Sequence, residues 1–224
     1  LYHSDGQGFV VMRNYVTTEL AQHISDYWCR SVESEKTHEK LAKFKNPFFA
    51  NCPCYFDETK FSRVYHNPFW SNSFDSIANQ VGLSITFLRS QIEGKLYASE
   101  IFPIAGRRCV IPRVVVTKAG ENVLEPHSDY GLGEEDPQNV DLARLQCTLF
   151  LSEFGKDYEG SGFMIENNQN QVISIEKELE VSPGDLLIWK YSNQHSIDRI
   201  TELESGCGFV RMLFPPELIT RDDI

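Results

Sequence analysis

The sequence predicts a mostly β protein with flanking helices, its second half wound as a double-stranded barrel or jelly roll. From about residue 109 the chain divides into strand-length apolar runs: CVIPRVVVTKAG, ARLQCTLFLSE, SGFMIEN, QVISIEK, LEVSPGDLLIWK and GFVRMLFP. Gly, Asn and Pro punctuate these runs and no long helical pattern separates them, which indicates an antiparallel sandwich or barrel. The first half instead shows apolar residues at helical spacing.

The apolar stretch 8–12 reads as a short strand. Thr17-Thr18 then supply a cap for a helix over 19–28, whose Leu20, Ile24, Tyr27 and Trp28 share one face. Residues 31–70 are charged and then rich in Pro, Asn and aromatics, which predicts an irregular segment packed over something else. A second helix is expected near 73–93, where Phe74, Ile77, Val81, Ile85, Phe87 and Leu88 keep mostly helical spacing around an interrupting Gly82. There is no internal repeat and no low-complexity tract. One domain over 1–224 is expected, with 1–105 packing on and covering a barrel formed by 106–224.

Composition narrows the function. The 224 residues are 41% hydrophobic and 24% charged, ordinary for a protein with a full core. Net charge is −11, from 32 acidic and 21 basic residues, and no Lys/Arg block tracks a phosphate backbone, so nucleic acid is not an expected partner. No run of 18 or more apolar residues appears, so no membrane span is expected. The sequence opens on Leu without a basic secretory start, leaving room for a removed targeting segment. The 6 cysteines are too scattered for a disulfide framework, which suggests a reducing, cytoplasmic setting. Cys52-Pro53-Cys54 has too short a spacing for structural zinc and no second pair to complete it.

The stretch EPHSDYG (125–131) carries the chemistry. It follows the strand 113–118 and a Gly-Glu-Asn turn, so it lies at the lip of the sheet. Residues two apart in an extended segment point to one side, so His127 and Asp129 reach a common point. Of the other histidines, His195 alone lies in the strand-rich half, shortly after LLIW. Two imidazoles and one carboxylate leave about three positions open on an octahedral ion, the arrangement of non-haem Fe(II) oxygenases.

At this point the sequence resembles the Fe(II)- and 2-oxoglutarate-dependent dioxygenase superfamily, in particular its phytanoyl-CoA-hydroxylase-like and prolyl-hydroxylase-like members. The resemblance covers 109–219 and lies in the order of its parts. PRVVVTKAGENVLEPHSD resembles the strand, turn and His-x-Asp; LQCTLFLSE the next core strand; DYEGSGFMI a glycine-rich turn; SPGDLLIWKYSNQHSI the Pro-Gly-Asp turn leading to the distal His. The opening GFVVMRNYVTTELAQHI is similar to that of the same members. The resemblance implies a double-stranded β-helix, Fe(II) held by His127, Asp129 and His195, and 2-oxoglutarate as co-substrate with O2. Arg211 in GFVRMLF matches the basic residue that holds the far carboxylate of 2-oxoglutarate. An Arg inside an apolar strand would otherwise be a buried charge without a partner. Its separation from His195 is longer than in many members and implies a longer loop over 199–208; Arg199 is the alternative, too near His195 to reach the next strand. Gln146, Thr148 and Thr117 are candidate lining of the co-substrate pocket, although core packing explains each as well.

The implied activity couples oxidative decarboxylation of 2-oxoglutarate to hydroxylation, or related C–H oxidation, of a small-molecule or amino-acid-type substrate. Related halogenases have Gly or Ala where Asp129 stands, so its presence argues for hydroxylation, desaturation or ring chemistry. Bland roles are expected elsewhere: His23, His38 and His66 for surface or capping positions, Arg107-Arg108 for a solvated turn, 134–136 for a solvated loop, Trp189 for packing. Tyr130 could shield the metal, and the aromatic segment 45–70 could form a lid. Two other functions remain open. A non-catalytic sensing barrel would be marked by loss of a ligand; a cupin-type metalloenzyme would show His-x-His with a nearby Glu, which is absent here.

Overall fold

Residues 1–33, 42–43, 55–70, 75–95, 100–129, 143–204 and 206–219 are described in this computed structural model. The N-terminal elements are β1 (Phe9–Met12), α1 (Thr18–Glu33), β2 (Ala42–Lys43), β3 (Tyr55–Glu58), β4 (Ser62–His66) and α2 (Ser76–Ile92). Then come β5 (Arg108–Val110), β6 (Arg113–Thr117), β7 (Ala119–Gly120), β8 (Leu124–His127), β9 (Leu145–Phe150), β10 (Tyr158–Gly160), β11 (Phe163–Glu166) and β12 (Val172–Ser174). The last are α3 (Ile175–Leu179), β13 (Leu186–Lys190), β14 (His195–Ile197), β15 (Ile200–Glu202), β16 (Phe209–Leu213) and β17 (Pro216–Leu218).

The predicted strands form a mostly β fold with flanking helices, their sheets antiparallel except where β2 pairs parallel with β3. A large sheet runs β1-β13-β9-β16-β6-β4-β3-β2; smaller sheets run β12-β11-β14-β8 and β10-β15-β7. One core holds Phe150, Leu187, Trp189 and Phe209 of the large sheet together with Tyr158, Phe163, Ile165, Ile197 and Ile200 of the small ones, so these sheets pack face to face. A second core lies between the helices and the other face of the large sheet.

The large sheet is buried on both faces, and its two faces differ. Leu145, Cys147, Leu149, Leu186, Ile188, Val210, Met212, Val114 and Val116 pack toward the helices. The alternate residues of the same strands, pointing between the sheets, include Gln146, Thr148, Arg211 and Thr117. The buried polar side chains of these strands therefore lie on one surface.

The helices cover the apolar face. Thr17 Oγ1 accepts from Leu20 N at 3.3 Å at the start of α1, and Ala21, Ile24 and Trp28 are fully buried. Asp75 caps α2, accepting from Ile77 N and Ala78 N at 3.1 Å. Gly82, which interrupts the helical pattern, is buried in the packed face of α2. A Cβ there would approach Met212, Phe69 and Phe214 to 3.2–3.3 Å.

Several expectations change. Within 45–70, the described residues 55–66 are an antiparallel hairpin that extends the large sheet through β4 and β6, not an irregular segment. His66, expected at the surface, is buried on β4 in register with Arg113, because that hairpin is an interior part of the sheet. Only the first half of QVISIEK is strand; Glu178 reaches back to Ser174 N at 2.9 Å and the acid-rich remainder turns into α3. The long connection over 199–208 contains β15, paired with both β10 and β7. Cys52, Cys54, His38, Tyr130 and 134–136 lie outside the described residues. Among the described residues no helix is long and apolar enough to cross a membrane.

Candidate metal centre and cavity

His127 ends β8 and stands in register with His195, the first residue of β14, their ring centroids 4.3 Å apart. Asp129, two residues on, turns to the same side. Its Oδ1 lies 3.7 Å from His127 Nε2 and 3.9 Å from His195 Nε2. One donor atom from each of the three residues falls within 4.8 Å of the others.

The surrounding bonds orient these donors. His127 Nδ1 is 2.8 Å from the Glu125 carbonyl and His195 Nδ1 3.5 Å from the Asn193 carbonyl. A carbonyl only accepts, so in the neutral form each ring carries its proton on Nδ1 and leaves the Nε2 lone pair on the Asp129 side. Burial, foremost, pushes the His195 pKa down, opposed by Asp129, and keeps the ring in its neutral, ligating form. Gln146 Nε2 donates to Asp129 Oδ2 at 3.1 Å, holding the carboxylate while leaving Oδ1 on the histidine side. Phe163 stacks on the His195 ring at 5.8 Å and Trp189 packs against it at 5.5 Å. Two neutral imidazoles and one carboxylate oxygen are a fitting donor set for Fe(II) and similar divalent ions.

The three residues open into a cavity of about 540 Å³ whose wall also includes Arg211, Gln146, Tyr191 and Trp189. Trp189 thus packs in the sheet, as expected, and also forms cavity wall. Arg211 lies on β16 between Val115 of β6 and Phe150 of β9 and is 5% exposed. Its Nη1 donates to Thr117 Oγ1 at 3.4 Å, and its guanidinium lies 4.6 Å from the Phe209 ring centroid. Burial lowers its pKa to about 10, with Tyr158 and Glu176 acting in the opposite direction, so it is charged at neutral pH. No carboxylate among the described residues lies within ion-pair distance of it. Arg199 differs: its side chain is exposed, pairs with Glu121 at 3.5 Å, and is not part of the wall.

Of the other sequence candidates, Gln146 lines the cavity but is engaged with Asp129. Thr117 and Thr148 are fully buried behind the wall. Thr117 bonds to Ser62 Oγ at 2.6 Å and to Arg211, while the Thr148 hydroxyl has no partner among the described residues. Sequence reasoning missed Arg113 and Glu217, an ion pair on the wall, and Tyr191, whose hydroxyl makes no hydrogen bond among the described residues. Alternation was the available signal. Arg113 shares a face with Thr117, Tyr191 continues the face of Leu187 and Trp189, and Glu217 continues the two-residue steps of Arg211, Leu213 and Pro215. Glu176 was also missed. From α3 it accepts from Phe163 N at 2.8 Å and from Tyr158 Oη at 3.1 Å, in space that a side chain at Gly162 would occupy.

This architecture is the fold of the Fe(II)- and 2-oxoglutarate-dependent oxygenases. A Pseudomonas putida prolyl-4-hydroxylase is similar with a TM-score of 0.57 at 12% identity, over 94% of this protein and 92% of that one. A putative 2-oxoglutarate-Fe(II) oxygenase family protein from Caulobacter crescentus gives 0.54 at 12% identity, over 98% and 83% of the two sequences. The epimerase SnoN, in complex with Fe3+, α-ketoglutarate and nogalamycin RO, gives 0.55 at 9% identity, over 94% and 79%. No protein-family model matches the sequence, and no curated protein matches it either.

Proposed function

We propose that this protein is an Fe(II)- and 2-oxoglutarate-dependent oxygenase that hydroxylates, or otherwise oxidises at C–H, a small-molecule or amino-acid-type substrate, with 1–224 acting as one catalytic domain. The observation that carries the reading is the convergence of His127, Asp129 and His195 in a cavity that also contains a buried arginine without a carboxylate partner among the described residues. His127 and His195 would hold the ion through Nε2 and Asp129 through Oδ1. When bound, Fe(II) and 2-oxoglutarate supply the oxidising power by activating O2, with release of succinate and carbon dioxide.

The protein's own groups do the positioning. Arg211 offers a two-pronged donor to the far carboxylate of the co-substrate, and Thr117 steadies the guanidinium from behind. Gln146 keeps Asp129 turned so that one oxygen remains for the metal. Trp189, Phe163 and Ile197 exclude water from the wall beside the histidines, so that oxidation is directed to substrate rather than lost to solvent. A silent binding barrel would be expected to have lost a ligand, and none of the three is missing.

Titration under argon of metal-free protein with Fe(II), then 2-oxoglutarate, tests this. A weak visible charge-transfer band should appear in the wild type and be absent in Asp129→Ala. Iron binding without a band would remove 2-oxoglutarate from the assignment; no iron binding would reduce EPHSDYG to a polar turn.

A further inference from the structure

The cavity wall carries more charge than the proposed chemistry uses. Among the described lining residues the charged or titratable groups that can carry charge, tyrosine aside, are His127, Asp129, His195, Arg211, Arg113 and Glu217. The first three are assigned to the metal and Arg211 to the co-substrate, which leaves Arg113 and Glu217. These two are ion-paired to each other and their side chains are 29% and 30% exposed, so both reach the cavity.

Both charges stand on paired strands. Arg113 begins β6 between His66 of β4 and Leu213 of β16, and Glu217 lies in β17 opposite Cys109 of β5. Leu213 is in register with Arg113, and the cavity wall also has the apolar Pro215, Pro216, Leu124 and Ile197. A lone carboxylate drawn to Arg113 would meet Glu217 beside it, and a lone ammonium drawn to Glu217 would meet Arg113, so each attraction is offset by a repulsion. A ligand with adjacent ammonium and carboxylate gains at both without breaking the pair, because it closes a four-charge ring of alternating sign.

Resting on the oxygenase reading, we propose that Arg113 and Glu217 bind the α-ammonium and α-carboxylate of a free amino acid whose R group is uncharged and mainly apolar. That R group lies along the Leu213 and Ile197 wall, and the bond oxidised is one of its C–H bonds. Arg113 binds the carboxylate and Glu217 the ammonium.

The test is calorimetric titration of L-leucine, L-methionine, L-phenylalanine and L-proline into metal-free protein, and again with Fe(II) and 2-oxoglutarate under argon. At least one should bind at millimolar affinity or better. Its N-acetyl and carboxamide derivatives, each lacking one charge, should bind about tenfold or more weakly. Arg113→Gln and Glu217→Gln should each weaken the parent amino acid about tenfold or more while the 2-oxoglutarate band is kept. Absence of binding in both states overturns the proposal, as do blocked derivatives that bind as well as the parent. Variants that melt lower yet keep full affinity also overturn it, since the pair is then only a staple between β6 and β17. The band reports separately on the oxygenase reading. If it never forms, that reading fails, and binding to metal-free protein alone decides the amino-acid site.

Discussion

Replacing Arg211 with Met should move co-substrate affinity and protein stability in opposite directions. Arg211 is 5% exposed, without a carboxylate among the described residues within ion-pair distance, and burial holds its pKa near 10 rather than its usual value. That depression corresponds to about 3 kcal/mol against keeping the charge in place. Its long hydrogen bond to Thr117, at 3.4 Å, returns about 1 kcal/mol or less. Met is similar in length and uncharged, so the metal-free variant should be more stable by up to about 2 kcal/mol, with melting raised by about 2–4 °C per kcal/mol. Loss of two charge-assisted bonds to a carboxylate costs about 3–5 kcal/mol, so the 2-oxoglutarate midpoint in the anaerobic titration should rise by about 100-fold to 1,000-fold or more. The two readouts are the midpoint of the charge-transfer band and the melting of metal-free protein. A Met variant that melts several degrees lower while taking up 2-oxoglutarate as before would show Arg211 to be a structural charge balanced by Tyr158 and Glu176, and the co-substrate assignment would fall.

Gln146→Leu removes the donor to Asp129 Oδ2 and should weaken Fe(II) binding by about 10–100-fold with little change in melting, read by competition with a chelating dye. Glu176 makes stability fall with rising pH. Burial raises its folded pKa to about 7, so between about pH 4.3 and 7 the folded protein holds a proton that the unfolded state has released. Wild-type protein should lose up to about 3 kcal/mol across that window, and urea midpoints at pH 5 and 8 should show Glu176→Gln without that loss; an identical slope in the variant would place the titration elsewhere. Asp75→Ala removes the two-bond cap of α2 and should cost about 1 kcal/mol, seen as a lower melting temperature with unchanged metal affinity.

Local chemistry made much of this protein legible. Strand periodicity, turn residues and the His-x-Asp spacing are short-range properties, and they suffice for the β-rich second half, for α1 and α2, and for the common side taken by His127 and Asp129. The antiparallel register that sets His195 opposite His127 is a long-range pairing, and residue order only suggested it. The tertiary structure alone decided the rest. The hairpin over 55–66 became sheet because β6 offered an edge, and no local pattern in that aromatic segment announces it. Glu176 reads as one acid in a polar run until α3 carries it into the space left by Gly162. Arg113 and Glu217 are 104 positions apart and became one charged pair because separate strands end on the same cavity. Side-chain alternation is written in the sequence, since it depends only on the backbone; which strands share an interior depends on burying both faces of the large sheet at once, a condition on the whole molecule.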